Sequence, residues 1–313
     1  MSDPPTSPHH SSQKAPIAFV KTTDRIKGVR QAIELLGIEP FTEQRVFIKP
    51  NYNSADPTPG STHPDVLRAL VGWLHESAAL SITVGDRSGM GSTRQVMETL
   101  GVFTLGEQLG FETIVFDELG ADDWVRFQPD GSHWKKGFYL ARPCLETDAL
   151  IQACCLKTHQ LGGHFTLSLK NSVGMVAKHV PGDRHNYMYE LHLSRNQRLM
   201  IAEINAAYSP RLVVLDGIEA FVSRGPANGK LVSPQIILAG VDRIAIDAVG
   251  VAILRHFGTT KSVTRGGIFK QAQIARAVEL GLGVSSPDQI EFLTADPDSA
   301  TYARQIQELL LAG

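Results

Sequence analysis

The sequence predicts an α/β protein with three layers, in which a mostly parallel β-sheet lies between two layers of helices. The first observation is that short apolar runs alternate, along most of the chain, with segments whose apolar residues recur at helical spacing. The second is the run Ala149–Leu156, which lacks the two-residue alternation of a half-exposed strand. Such a run is typical of a parallel strand that helices cover on both faces. Parallel neighbours also need long crossovers, which the helical segments supply.

The N-terminal half contains strands that alternate with helices. After the first strand, Asp24 has a side chain that can cap a helix, and Gly37 is a residue type at which helices commonly end. Thr62 or Asp65 is the candidate cap of the second helix. The predicted strands are Ile17–Lys21, Arg45–Ile48, Ser81–Val84 and Thr113–Phe116, and the predicted helices cover Ile26–Leu36, Val66–Leu74 and Val96–Leu100.

The C-terminal half continues the alternation after an interruption. Residues 117–147 contain two short apolar runs around Asp130-Gly131, which predict a β-hairpin insertion or an extension of the sheet edge. Residues 178–194 are polar and show no clear period, so we expect an ordered loop or lid there. The remaining predicted strands are Ala149–Leu156, Arg211–Leu215, Gln235–Ala239 and Glu291–Leu293, and the remaining helices cover Thr166–Val176, Gln197–Ala207, Asp242–His256, Phe269–Leu280 and Ala300–Leu311.

Length, charge and cysteine content limit the class of protein. The 313 residues are compatible with a single α/β domain over residues 16–313, preceded by a disordered tail of residues 1–15. The chain has 30 Lys and Arg against 32 Asp and Glu, so no global field draws it to nucleic acid or to an anionic membrane. Three cysteines give no disulfide framework, and no apolar run is long enough to span a membrane. We therefore expect a cytoplasmic protein with neither nucleic acid nor membrane as a partner.

Four of the predicted strands end in polar loops that contain glycine. These loops begin at Lys49, Asp86, Lys157 and Asp216. In an open α/β sheet, ligands bind in the crevice outside the carboxyl ends of the strands. The sequence therefore predicts one site at this edge, where Lys170 and His159 line a shared polar hollow.

A small-molecule anion is the ligand that the segment after the central strand favours. We expect Gly162-Gly163 to open a helix, whose free N–H groups and positive dipole end suit a phosphate or a carboxylate. Lys170 lies four residues after Thr166 and so shares its helix face, although a solvated lysine is the alternative interpretation. The candidate anion-binding residues are Lys49, Asn51, Gly163, Asn171 and Gly174.

Four residues are candidates for catalysis: Lys157, His159, Lys170 and Asp86. Burial beside other cations lowers the pKa of a lysine toward neutrality, so Lys157 is a candidate general base as well as a carboxylate-binding group. A structural lysine at a strand end is the plain alternative. Asp86 is the candidate carboxylate base, although aspartates that only form turns are common after strands.

A metal ion is the other ligand that this edge suggests. His159, His164 and Asp216 are the candidate ligands of a single divalent metal ion, because such ions bind imidazole nitrogens and carboxylate oxygens. The histidines of this region lack the helical His-x-x-x-His spacing of a zincin. Loop histidines that make ordinary hydrogen bonds are therefore the alternative.

Several motifs occur in a fixed order along the chain. They are Lys49-Pro50-Asn51, Thr62-His63-Pro64, Gly85-Asp86, Lys157-Thr158-His159, Lys170-Asn171-x-x-Gly174, Asp216-Gly217, Gly225-Pro226-x-x-Gly229 and the helix Asp242–Asp247. This order resembles the domain of unknown function 362 family, and the resemblance covers most of the chain, from Ile17 to His256. The family is named for lacking an assigned function. Many of its members carry an iron–sulfur module, but this chain has no closely spaced run of cysteines able to hold a cluster, so no iron–sulfur cluster is expected.

Two functions fit these observations. The first is an enzyme that acts on a small anionic metabolite in a crevice at the carboxyl edge of the sheet, with or without help from a metal ion. The alternative is an accessory protein that binds a metal or cofactor in the same crevice without catalysis. A scaffold with a vestigial site is less favoured, because the strand-end loops carry more Lys, His, Asn and Asp than a scaffold needs.

Overall fold

A computed structural model of the protein describes residues 14–160 and 162–313. The predicted tail of residues 1–15 lies outside the described residues except for its last two, and the first strand begins at Ala15. The strands are β1 (Ala15–Lys21), β2 (Arg45–Lys49), β3 (Ser81–Asp86), β4 (Glu112–Val115), β5 (Trp124–Phe127), β6 (Phe138–Ala141), β7 (Ala149–His159), β8 (His164–Thr166), β9 (Leu212–Arg224), β10 (Gly229–Val232), β11 (Ile236–Gly240) and β12 (Ile290–Leu293). The helices are α1 (Arg25–Leu36), α2 (Pro64–Glu76), α3 (Thr93–Thr99), α4 (Val102–Leu109), α5 (Ser168–Asn171), α6 (Tyr187–Leu193), α7 (Gln197–Ile204), α8 (Arg243–His256), α9 (Lys261–Thr264), α10 (Ala272–Glu279) and α11 (Pro297–Ala312).

A ten-stranded sheet runs through the described part of the chain. Eight strands follow the order β12-β1-β11-β9-β7-β2-β3-β4, while β10 pairs with β9 and β8 pairs with β7. Neighbours are parallel from β9 through β7, β2 and β3 to β4, and between β1 and β12. Strand β11 is antiparallel to both β1 and β9. The predicted α/β fold with a mostly parallel central sheet is confirmed.

Helices cover both faces of this sheet, because successive residues of a strand point to opposite sides. In β2, Val46 and Ile48 pack in the core with residues of α1 and α2, whereas Phe47 packs on the other face against Phe116. On that second face, α8, α10 and α11 cover the end of the sheet that contains β1, β9 and β11. Helices α6 and α7 cover its other end. Among the described residues, no helix is both long and apolar enough to cross a membrane.

The hairpin predicted between β4 and β7 is present as a separate two-stranded sheet. Strands β5 and β6 are antiparallel, with Trp124 opposite Ala141. The loop between them is fixed by Glu203 of α7, whose buried carboxylate accepts hydrogen bonds from Ser132 Oγ and from the backbone N–H of His133, each at 2.9 Å. The hairpin is therefore anchored to the helical layer by a charged hydrogen-bond acceptor.

Two central strands are longer than predicted. Strand β7 ends at His159 instead of Leu156, and β9 ends at Arg224 instead of Leu215. In each case a short antiparallel strand folds back onto the extension, β8 onto β7 and β10 onto β9. These partners supply ladder hydrogen bonds that the local sequence does not reveal. The segment Lys157–His159, predicted as a loop, is therefore held in a strand.

The helix predicted over Thr166–Val176 is wrong in its extent and in its start. Only Ser168–Asn171 form α5, and a turn of 3-10 helix follows it. Thr166 belongs to strand β8, and the non-helical backbone of Leu167 separates that strand from α5. Gly162 and Gly163 therefore lie between two antiparallel strands and do not open a helix.

The predicted loop or lid of residues 178–194 is wrong in its second half, which forms α6. Asn186 caps this helix, because its side-chain oxygen accepts a hydrogen bond from the N–H of Tyr189 at 2.7 Å. The helix predicted over Val96–Leu100 is present as α3. The sequence does not predict α4, which begins after Gly101, whose φ of 70° does not continue a helix.

The cap of α2 differs from both predicted candidates. His63 takes this position, and its Nδ1 atom accepts a hydrogen bond from the N–H of Asp65 at 3.1 Å. Thr62 is used elsewhere: its hydroxyl accepts from the N–H of Asn51 at 2.8 Å and donates to the carbonyl of Ala153 at 2.9 Å. Thr62 therefore fixes the loop after β2 against the central strand β7.

Asp242 stabilises two elements at once, so we expect its replacement to be costly. Its side chain accepts from the N–H of Ala245 at 2.9 Å, which caps α8, and from the N–H of Val284 at 2.7 Å. We expect Asp242→Ala to lower the free energy of unfolding by about 2 kcal/mol, measured by urea denaturation. Asp24→Ala removes the single exposed cap bond of α1 and should cost about 1 kcal/mol or less. Equal losses for the two variants would contradict this assignment.

Candidate functional site

A polar crevice lies at the carboxyl ends of β2, β3 and β7, and its cavity volume is about 50 Å³. These strands end at Lys49, Asp86 and His159. Because the three strands are parallel neighbours, their carboxyl ends meet at one edge of the sheet. Lys170 lines the same crevice, so the structure brings Lys170 and His159 into one polar hollow.

The Lys49–Asp86 ion pair forms one wall of the crevice. Lys49 Nζ lies 2.7 Å from Asp86 Oδ1, and both side chains are buried. Asp86 also accepts hydrogen bonds from the backbone N–H groups of Tyr52 and Arg87, each at 2.7 Å. Burial raises the pKa of Asp86 above its ordinary value, and Lys49 and the two N–H groups oppose that rise. The carboxylate of Asp86 is therefore already bound by Lys49 and by two backbone N–H groups.

Gly174 is required for this ion pair to be packed as it is. A Cβ atom added to Gly174 would lie 2.3 Å from Asp86 Oδ1 and 2.6 Å from Lys49 Nζ. Both distances are far below van der Waals contact, so only glycine lets the backbone approach the pair. Gly174, a predicted anion-binding residue, therefore lets the backbone pack closely against the Lys49–Asp86 pair.

A chain of hydrogen bonds through two asparagine side chains holds Lys157 in the crevice. Its Nζ donates to Asn51 Oδ1 at 2.6 Å and, over a shorter contact, to the carbonyl of Gly60. Asn51 Nδ2 in turn donates to Asn171 Oδ1 at 3.2 Å, and Asn171 Nδ2 donates to the carbonyl of Lys49 at 3.3 Å. Burial lowers the pKa of Lys157. Asn51 and Asn171 thus position a buried lysine with their polar groups.

Arg87 brings another buried cation to the crevice. Its guanidinium group donates to the backbone carbonyls of Val176 at 2.9 Å, Val173 at 2.6 Å and Ser88 at 3.0 Å. No carboxylate among the described residues forms an ion pair with it within 4 Å. Burial lowers the pKa of Arg87, but a guanidinium group keeps its charge in proteins.

Lys170 differs from the other cations of the crevice. Its side chain is only 7% exposed, and Nζ makes no hydrogen bond or ion pair with any described residue. Burial, together with the charges of Arg87 and Lys157, lowers the pKa of Lys170 to about 8. Thr166 lines the crevice as well, and its Oγ1 is buried without a partner in the described structure. These two side chains are therefore available to a ligand.

Two neutral histidines complete the lining. Burial and the charge of Lys170 lower the pKa of His159 well below its ordinary value, and they also lower the pKa of His192. Nδ1 of His192 lies 2.7 Å from the carbonyl oxygen of Met188. Because a carbonyl only accepts, Nδ1 carries the proton, and Nε2 of the neutral ring is an acceptor.

Asp247 of α8 holds the short helix that carries Lys170. Its Oδ1 accepts hydrogen bonds from the N–H groups of Ser168 at 2.8 Å and Leu169 at 3.2 Å. The predicted anion at a helix N-terminus is thus replaced by a carboxylate of the protein itself. Burial raises the pKa of Asp247 to about 7, and the two N–H groups oppose the rise. At the other end of the turn, Asn205 Nδ2 donates to the carbonyl of Leu169 at 3.0 Å.

Most of the predicted catalytic and anion-binding residues are brought together. Gly163 does not itself line the crevice, but a Cβ atom there would lie 2.7 Å from Lys170 Cε and 3.3 Å from His159 Cγ. It therefore leaves room for these two side chains. The predicted residues that line the crevice are Lys49, Asn51, Asp86, Lys157, His159, Lys170, Asn171 and Gly174.

The predicted metal ligands His159, His164 and Asp216 are not brought together as a set of three. His164 lies opposite His159 in the β7–β8 pairing, and both histidines line a second depression, although His164 does not line the crevice itself. Asp216 accepts a hydrogen bond from Arg25 Nε at 2.7 Å, away from the crevice. The described residues contain no group of three or more His, Cys, Asp or Glu side chains arranged to hold a metal ion.

Sequence reasoning missed Arg87, His192, Thr166 and Asn53 as lining residues. Arg87 directly follows the end of β3, so its position beside Asp86 was a usable signal. His192 lies within the predicted loop of residues 178–194, and nothing in the local sequence distinguishes it from an ordinary loop histidine. It reaches the crevice because residues 187–193 form a helix.

Comparison with known proteins gives one family and a few distant similarities. A family model described as Domain of unknown function (DUF362) matches residues 46–252. A thylakoid-associated protein of Synechocystis sp. is 29% identical over 217 residues, which are 67% of this chain and 63% of that protein. The chain therefore spans less than two thirds of that relative's length.

Two solved structures are similar at low identity. The lactate racemase apoprotein from Thermoanaerobacterium thermosaccharolyticum has a TM-score of 0.38 and 14% identity, over 72% of this chain and 54% of that one. A protein from Thermotoga maritima has a TM-score of 0.41 and 11% identity, over 74% of this chain and 56% of that one.

Burial of the Lys170 charge costs stability in the ligand-free protein, so its removal should stabilise the fold. We expect Lys170→Met to raise the free energy of unfolding at pH 7 by roughly 1–3 kcal/mol, measured by urea denaturation of dialysed protein. The folded pKa, about 8, lies below the ordinary value of 10.5. The unfolded chain therefore binds the proton more tightly between these values, and the wild type gains stability as pH rises through them.

The difference between Lys170→Met and wild type should accordingly shrink between pH 7 and pH 9.5. Lys27→Met is the matched control, because the Lys27 side chain is exposed and lies far from the crevice. This control should change the free energy of unfolding by less than about 0.5 kcal/mol. A loss of stability in Lys170→Met at pH 7 would contradict the prediction that the buried charge of Lys170 destabilises the ligand-free fold.

Proposed function

The chain belongs to the DUF362 family, and on that premise we propose that it is an enzyme acting on a small anionic metabolite. The metabolite would bind in the crevice at the carboxyl edge of the sheet. Lys170 and His159 would transfer protons to and from it during the reaction. The observation that supports this best is the buried Lys170 side chain, which has no partner in the described structure and lines the crevice.

The argument for an anion starts from the cost of burying charge. A buried cation without a counter-charge is unfavourable, and a bound anion relieves that cost. Lys170 Nζ can donate up to three hydrogen bonds, and Thr166 Oγ1 can donate one more. Both atoms face a crevice whose charge is positive, since Lys157 and Arg87 lie near Lys170 and lower its pKa.

The argument for catalysis starts from the protonation states. A lysine whose pKa is about 8 exchanges its proton readily near neutral pH, which suits a general acid or base. His159 is neutral, because burial and nearby lysines lower its pKa, so its ring both donates and accepts. Both side chains line the crevice, and both lie close to Gly163. A substrate in the crevice would contact a proton donor and a proton acceptor together.

An accessory protein that binds the same anion without changing it is the second candidate. It is favoured by the internal hydrogen bonds of Asn51, Lys157 and Asp86, which position groups for binding and leave them little freedom to react. A metal-assisted reaction has less support, because His164 and Asp216 lie away from the crevice. The cytoplasmic location stays a prediction, and the thylakoid association in the relative's name makes membrane attachment its alternative, which cell fractionation would distinguish.

Catalysis is tested with a panel of carboxylate- and phosphate-bearing metabolites in D₂O, followed by proton NMR. We expect one chemical class to show product formation or loss of a C–H signal. Lys170→Met and His159→Ala should each reduce that rate by at least about 100-fold, because general acid–base groups contribute this much. Lys27→Met should keep the wild-type rate. Metabolites that bind without any change would leave the accessory role as the answer.

We expect the affinity for an anion to fall as the pH rises, because Lys170 loses its proton. Sulfate keeps its charge between pH 6.5 and 9.5, so changes in its affinity report the protein. Lys170 is protonated below its pKa of about 8, and the anion prefers that form. We expect the sulfate Kd to be constant at low pH and to rise by up to about tenfold per pH unit above 8. In Lys170→Met, binding should be weak at every pH; an unchanged pH profile there would assign the effect to another group.

A further inference from the structure

The number of buried cations in the crevice points to the charge of its ligand. Three cationic side chains line it without an ion pair to any described carboxylate: Arg87, Lys157 and Lys170. The single carboxylate among the lining residues is that of Asp86, and Lys49 already pairs with it. The crevice therefore has three positive charges that the described part of the protein leaves uncompensated at short range.

More distant charges do not change this balance. Asp86 and Asp56 act on Lys157, and Asp117 and Asp86 act on Arg87, only through space, since none of them forms an ion pair with those cations. Asp86 is paired with Lys49, and the side chains of Asp56 and Asp117 accept hydrogen bonds from Ser54 and Thr93 respectively. The two histidine rings of the crevice are neutral and add no charge.

The three cations differ in how they can act on a ligand. Lys157 and Arg87 already donate to protein oxygens, so they contribute mainly through their electric field. Lys170 Nζ and Thr166 Oγ1 are the groups available for direct hydrogen bonds. A monovalent anion beside Lys170 would satisfy its hydrogen bonds but would leave two buried cations unneutralised.

We infer, on the basis of the proposed function, that the ligand of the crevice is a compact polyanion, a small molecule with two or more negative charges. A phosphate monoester or a dicarboxylate has this chemistry, whereas a simple monocarboxylate does not. The positive charges of Arg87 and Lys157 would stabilise the second negative charge of the ligand, because electrostatic interactions are strong where water is largely excluded. The small volume of the crevice requires the charges to be close together.

The test compares pairs of chemically related anions that differ in charge. Sulfate is paired with methanesulfonate, and malonate with acetate, in thermal-shift titrations of the full chain at pH 7 and constant ionic strength. We expect each divalent anion to bind at least about tenfold tighter than its monovalent partner. Tighter binding of sulfate than of malonate would indicate a phosphate-like group, and the reverse would indicate a dicarboxylate.

Equal Kd values within both pairs would overturn the polyanion inference while leaving the anion site of the proposed function intact. No binding by any of the four anions would overturn the proposed function itself. Lys157→Met, checked for folding by circular dichroism, should weaken sulfate binding by a larger factor than methanesulfonate binding. If that variant does not fold, the wild-type series still decides, since it needs no substitution.

Discussion

The burial of positive charge at the carboxyl edge of the sheet is the constraint to which the surrounding structure responds. Lysine and arginine side chains are rarely buried without partners, because removing them from water is costly. Here Lys49 is paired with Asp86, Lys157 is bound by Asn51, and Arg87 is surrounded by backbone carbonyls. Lys170 alone among these four has no such partner in the described structure, and this places the expected ligand at its Nζ.

The layers of the protein cooperate to keep Lys170 in place. The short helix α5 could not form by itself, since isolated turns of helix are unstable in water. It is held by Asp247 from α8 at its start and by Asn205, which follows α7, at the carbonyl of Leu169. Gln152 of the central strand accepts a hydrogen bond from Ser168 Oγ at 2.6 Å. Such a satisfied buried network fixes a unique geometry.

The buried and unpaired charge of Lys170 lowers the stability of the fold, and the proposed function accounts for its presence. A more stable protein would replace Lys170 by an apolar residue and fill the crevice, as natural cores do elsewhere in this chain. The rest of the sheet shows that arrangement, with Phe47, Ile48 and Ile151 fully packed between helices. Polar, poorly compensated groups at one edge of an otherwise apolar fold are the observation on which the proposed binding site rests.

The sequence by itself determined the strands other than β8 and β10, their mostly parallel arrangement and the presence of Lys49, Asp86 and Lys157 at one edge. Hydrophobic pattern is local, and parallel strands necessarily end on the same side. Only the tertiary structure decided that β8 extends β7, that Asp247 takes the helix N-terminus expected for an anion, and that His164 and Asp216 lie outside the crevice. The reason is that each of these depends on which distant backbone or side chain supplies a hydrogen-bond partner, and local sequence does not encode that choice.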